Sequence, residues 1–148
     1  MKWMFNLPRA TACVLLLLLA SPAPANDFAI SPGFVSPNLV WNVSVDGGAA
    51  EPNPPLLLIR GETYTFHVTG LAGFHSFYIK TASSIGSANA YAGGGLSANG
   101  ITTDTPADMP ITFTVPMSAP DTLFYNCGFH SSMAGTIKVD GVFRNGFE

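Results

Sequence analysis

Cysteine is nearly absent. Two occur in 148 residues, and Cys13 falls in an N-terminal leucine-rich stretch, which leaves Cys127 alone in the body of the chain. An intrachain disulfide framework is therefore excluded. Charge is scarce as well: 10% of residues carry it, with six Lys and Arg against nine Asp and Glu. So few cations, spread along the chain, make no patch able to neutralise phosphates, and nucleic acid is not an expected partner. Helical periodicity, heptads and internal repeats are missing after residue 26. The longest apolar run, around Leu15–Leu19, is too short to span a bilayer, which takes about 20 helical residues.

That run has another reading. Lys2 and Arg9 precede it, Ser21-Pro22 breaks it, and Ala23-Pro24-Ala25 offers a small-x-small cleavage pattern. The order predicts a secretory signal peptide over residues 1–25, and thus a periplasmic or secreted protein with no transmembrane segment once the signal is removed. What remains is 148 − 25 = 123 residues, enough for one domain, predicted over 26–140 and followed by a short tail, 141–148. Two basic residues leave with the signal, so the formal charge becomes 4 − 9 = −5. A monomer is expected. Export sharpens the question of Cys127, because a lone thiol in an oxidising compartment is either buried and inert or occupied.

The remaining chain reads as all-β. Runs rich in Val, Ile, Thr, Tyr and Phe, separated by Gly, Pro, Asn and Asp, predict strands near Leu39–Val45, Leu56–Arg60, Thr63–Val68, Phe74–Thr81, Ile111–Val115, Thr122–Asn126 and Gly135–Val139. Ala29 and Ile30 suggest an additional edge strand. Alternation sets Leu39, Trp41, Val43, Val45, Tyr64, Phe66, Val68, Ile111, Phe113, Val115, Ile137 and Val139 inward. Several half-buried strands without a helix imply a two-sheet β-sandwich. Residues 82–107 differ: they are mostly Ser, Ala, Asn, Gly and Thr around Gly93-Gly94-Gly95, and predict a long Gly/Ser-rich surface loop with room for one helical turn.

The chemistry concentrates in Tyr125-Asn126-Cys127-Gly128-Phe129-His130-Ser131-Ser132-Met133. Cys, His and Met at C-x2-H-x2-M spacing, between two strands, can turn onto one point. A thiolate and a thioether are soft donors suited to Cu(I), and imidazole suits both copper oxidation states. Zinc rarely recruits Met. A second His is needed. Alternation puts His75 on the face of Phe77 and Ile79, toward the core, and His67 on the solvent face with Thr63 and Thr65, so His75 is the better ligand. Taken singly, Cys127 reads as a buried core thiol, His130 as a loop histidine and Met133 as core filler; their joint spacing argues for a metal.

These residues resemble the cupredoxins of the plastocyanin, amicyanin and azurin group. The resemblance runs through Gly61–Phe66, Gly73–Ile79, Ile111–Pro116 and Leu123–Ile137 in that order, covers roughly Leu39 to Val139, and includes a short ligand loop like that of amicyanin-like members. It implies a Greek-key sandwich binding one copper ion (Cu+/Cu2+), with His75, Cys127 and His130 as strong ligands and Met133 as the weak axial one. Ser76, standing where many members carry Asn, and Asn126 are expected beside the ligands, with a backbone N–H near Ser76 aimed at the Cys127 sulfur. The implied role is one-electron transport with a redox protein such as a cytochrome or oxidase, docked on an apolar patch of Leu71, Ala72, Phe74, Phe129 and Ala134 around His130. Four protein ligands leave no open position for substrate, so an enzyme is not expected. A copper carrier or store without a redox partner, and a metal-free interaction module, are the alternative readings.

Overall fold

In the computed structural model, residues 26–141 are described, apart from Gly94. The predicted signal peptide and all of the tail beyond Gly141 lie outside them. Nine strands form: β1 Asp27–Val35, β2 Asn38–Val45, β3 Glu51–Pro52, β4 Leu56–Ile59, β5 Thr63–Val68, β6 Phe77–Lys80, β7 Ile111–Thr114, β8 Thr122–Cys127 and β9 Ala134–Asp140. They make a five-stranded sheet in the order β3-β2-β1-β5-β7 and a four-stranded sheet in the order β4-β9-β8-β6. Both are mixed. β1 runs parallel to β5 and β4 parallel to β9, while the other pairings are antiparallel. The all-β two-sheet sandwich expected from alternation is the fold.

The inner faces meet in one core. Phe28, Ile30, Trp41, Val43, Tyr64, Phe66 and Val68 from the larger sheet pack on Leu58, Phe77, Ile79, Leu123, Tyr125 and Ile137 from the smaller. Rings bridge the layers: Phe66 and Trp41 lie 5.9 and 5.8 Å from Phe77, centroid to centroid, within the range for favourable aromatic pairs. The inward set read from the sequence is buried except at Leu39 and Val45, which are half-buried against the core. Val40, on the opposite face to Trp41, is buried as well, which alternation alone does not foresee.

Two expected strands differ from their prediction, and the two-residue β3, Glu51–Pro52, forms where only a connection was expected. The suggested edge strand at Ala29 and Ile30 is a nine-residue interior strand, flanked by β2 and β5. Pro32 and Gly33 disguise it, because each weakens the sequence signature of a strand. Their placement explains why they are tolerated. β1 pairs with β5 only over Asp27–Ile30, so Pro32 lies past the last β5 partner, and Gly33 leaves room for the Asn42 side chain, which a Cβ there would strike. The other difference matters more. β6 begins at Phe77, not Phe74, so Phe74, His75 and Ser76 belong to the approach to the strand.

Residues 82–107 form a long excursion with turns and isolated bridges but no helical turn among the described positions. It is held to β6 at several points: Phe77 N–H donates to Ile101 O, Tyr91 N–H to Ile79 O, and Ile79 N–H to the Asn99 side chain. The excursion thus covers the free edge of β6.

Candidate metal centre

His75 comes from a tight reversal. Ala72 and Gly73 both take left-handed backbone angles, φ 39° and 75°, a conformation that glycine adopts freely and alanine seldom does. The N–H groups of Phe74 and His75 both donate to Leu71 O. Asp104, from the long excursion, receives the Leu71 N–H at 2.8 Å. Nothing in the local sequence flags Asp104, because its partner lies 33 residues away. The strand whose alternation points to His75 begins two residues later, yet the ring still turns inward, 5.9 Å from the Trp41 ring.

The other end comes from the β8–β9 connection. The last ladder pair is Asn126 with Ala134. Just past it Cys127 N–H donates to Met133 O at 2.8 Å, and Met133 N–H to His130 O at 3.2 Å. These bonds close the loop on itself. Ser132 pins it to the larger sheet, its hydroxyl donating to Leu39 O while its carbonyl accepts from Asn53. Cys127 and Met133 are fully buried and His75 and His130 half-buried.

One ligand atom each from His75, Cys127 and His130 lies within 4.8 Å of the others. Cys127 Sγ is 3.8 Å from His75 Nδ1 and 3.6 Å from His130 Nδ1. Those separations suit a shared metal ion. Bonds of about 2.3 Å to thiolate and about 2.0 Å to imidazole, at roughly 110–120°, put sulfur and nitrogen about 3.5–3.7 Å apart. Burial holds the His75 pKa below the ordinary histidine value, and the neighbouring His130 lowers it further. The neutral, metal-competent imidazole is therefore favoured. His67 stands apart, with Nε2 3.1 Å from Asp27 Oδ1, half-buried rather than fully open to solvent.

The surroundings correct two expectations, the source of the N–H to the sulfur and the exposure of Leu71. The N–H that reaches the sulfur belongs to Phe129, at 3.4 Å, not to a residue near Ser76. Ser76 is an acceptor: its hydroxyl and carbonyl receive the Gly128 N–H at 3.0 and 3.3 Å. Asn126 donates to the Ser83 hydroxyl at 2.9 Å. Leu71 cannot belong to a surface patch, since it is fully buried. Ala72, Phe74 and Phe129 are exposed, the two rings by 75% and 56%, and Ala134 is partly so.

Fold and donor set together define a cupredoxin-like sandwich, with His75, Cys127, His130 and Met133 arranged like a site for one copper ion. Among solved structures, the chain is similar to rusticyanin from Thiobacillus ferrooxidans, at 25% identity and a TM-score of 0.45, over 77% of this chain and 76% of that one. Reduced rusticyanin matches with the same identity and TM-score, over 77% and 78%. Lac15 from a marine microbial metagenome is similar at 14% identity and a TM-score of 0.43, over 85% of this chain but 34% of that one. No family model and no curated protein matches the chain.

Proposed function

We propose that this chain is an exported type 1 copper protein that carries single electrons between redox partners. The convergence of two imidazole nitrogens on one buried cysteine sulfur is the observation that carries the reading. A copper ion held there supplies a one-electron Cu(II)/Cu(I) couple. His75, Cys127, His130 and Met133 would hold the ion. The thiolate and thioether favour the reduced ion, and the imidazoles accommodate both states.

The protein's own part is to keep this donor set dry and fixed. Phe129 N–H donates to the sulfur and withdraws charge from it. Ser76 ties the two ligand segments together through Gly128. With both ends pinned, the donors move little when the charge of the site changes, which keeps reorganisation small. The surface beside His130 offers Ala72, Phe74, Phe129 and Ala134 as an apolar docking patch, small as redox interfaces are.

Export rests on the N-terminal segment read from the sequence. Among the described residues no helix is long and apolar enough to cross a membrane. The test is the visible spectrum and metal content of the protein lacking residues 1–25, with Cu(II) and then with ascorbate. An intense thiolate-to-copper band that ascorbate bleaches is expected, and its absence at full copper occupancy would end the type 1 reading. Copper bound without electron exchange with any cytochrome or oxidase would favour a carrier or store.

A further inference from the structure

Lys80 is fully buried, which is rare for a lysine. It lies on the outer face of β6, paired across to Phe124 of β8, and the segment after it folds back over that face. Its ammonium donates to the carbonyls of Ser84 and Gly86, both at 2.6 Å, and approaches the Ser84 hydroxyl at 3.3 Å. The Tyr78 ring lies 4.9 Å away. Among the described residues no carboxylate pairs with it. The positive charge is held by dipoles alone.

The cage leads to the metal centre. Gly86, whose carbonyl binds the ammonium, donates its own N–H to Gly128 O at 2.8 Å. Gly128 follows Cys127 and donates to Ser76, which follows His75. A relay of three contacts thus joins the ammonium to the backbone beside two of the ligands. Burial lowers the Lys80 pKa, and the neighbouring Cys127 acts in the opposite direction.

We propose that Lys80 is a positioning residue of the metal centre: its carbonyl-bound ammonium clamps residues 84–86 against the ligand loop, and its fixed charge favours the reduced ion. The inference rests on the copper reading above. Cu(II) with one thiolate carries a net charge of about +1 and Cu(I) about 0, so a nearby buried cation disfavours the oxidised form more. A structural loop anchor would not discriminate between oxidation states.

The test compares the wild type with Lys80→Met, which keeps an unbranched side chain one atom shorter and without the charge. In the variant, Cu(II) affinity relative to Cu(I) should rise about tenfold, which for a one-electron couple is a potential lower by 59 mV. In the metal-free protein, amide hydrogen exchange at Gly86 should quicken. An unchanged affinity ratio overturns the proposal, even if exchange is faster, because Lys80 is then an anchor only. Should Lys80→Met not fold, Gly86→Ala in the exposed turn decides. It disfavours φ +68° without a clash, and a shift of about threefold in the same direction is expected as the loosened cage lets water screen the charge; no shift overturns the proposal. Failure of the copper reading looks different, as a wild type without the visible band.

Discussion

Gly128 donates its N–H to the Ser76 hydroxyl at 3.0 Å, so the residue after one predicted ligand is tied to the residue after another, 52 positions earlier. The bond is buried and spans the two segments that must stay in register for the donor atoms to meet. Serine suffices where a longer amide side chain would reach farther, because Gly128 has no Cβ and a side chain there would collide with the Ser76 hydroxyl. Close approach of the two backbones replaces side-chain length.

Removing that hydroxyl has a bounded cost. Ser76→Ala leaves the Gly128 N–H with the weaker 3.3 Å contact to Ser76 O. A loss of about 1 kcal/mol in unfolding free energy is expected, typical of one buried hydrogen bond. Urea denaturation of the metal-free protein measures it, and a cost near zero would show that the carbonyl alone satisfies the donor.

His75 makes the metal-free protein sensitive to acid. Its folded pKa lies below its unfolded value, so the unfolded chain binds the proton first as pH falls. Stability contributed by the neutral ring is present above the ordinary histidine range and is lost as pH falls from about 6.5 toward the folded value. Denaturant midpoints should decline over that interval. The decline should shrink in His75→Gln, and an equal decline in that variant would assign it to other groups.

Gly135 lies against the Tyr125 ring, which fills the space a Cβ would need. That ring is held from its far end, its hydroxyl donating to Pro54 O at 2.6 Å. The ring cannot withdraw without breaking this bond, so Gly135→Ala should destabilise by about 1–3 kcal/mol, as overpacking does. A thermal melt detects it, and an unchanged Tm would mean that β9 can shift outward freely.

Phe74 and Phe129 are exposed large rings beside the site. Replacing both by Ser should leave stability within about 0.5 kcal/mol, since neither is buried. Stopped-flow electron exchange with a redox protein should slow at least severalfold while the visible band stays in place. Unchanged rates would move the docking surface elsewhere.

The sandwich was legible because β-strands write alternation into sequence, and Trp41, Tyr64, Phe66, Phe113 and Ile137 report it faithfully. The ligand loop was legible because three of its donors sit within one short segment. What sequence could not convey depends on partners far along the chain. Asp104 acts on Leu71, and the interior position of β1 depends on where β5 stops pairing with it. Alternation points to His75 through the faces of a strand that begins only at Phe77. The turn that aims it is set by Ala72 and Gly73, where local backbone geometry outweighs alternation. The Lys80 cage was invisible for the same reason, since the carbonyls that fill it carry no side-chain signature.

The ligand loop also dictates an order of events during synthesis. Cys127, His130 and Met133 leave the ribosome long after His75, and the strand that closes their loop, β9, comes later still. For most of its synthesis the nascent chain offers a metal one isolated imidazole from this set and no thiolate grip. The full donor set is therefore complete only once nearly the whole domain has emerged.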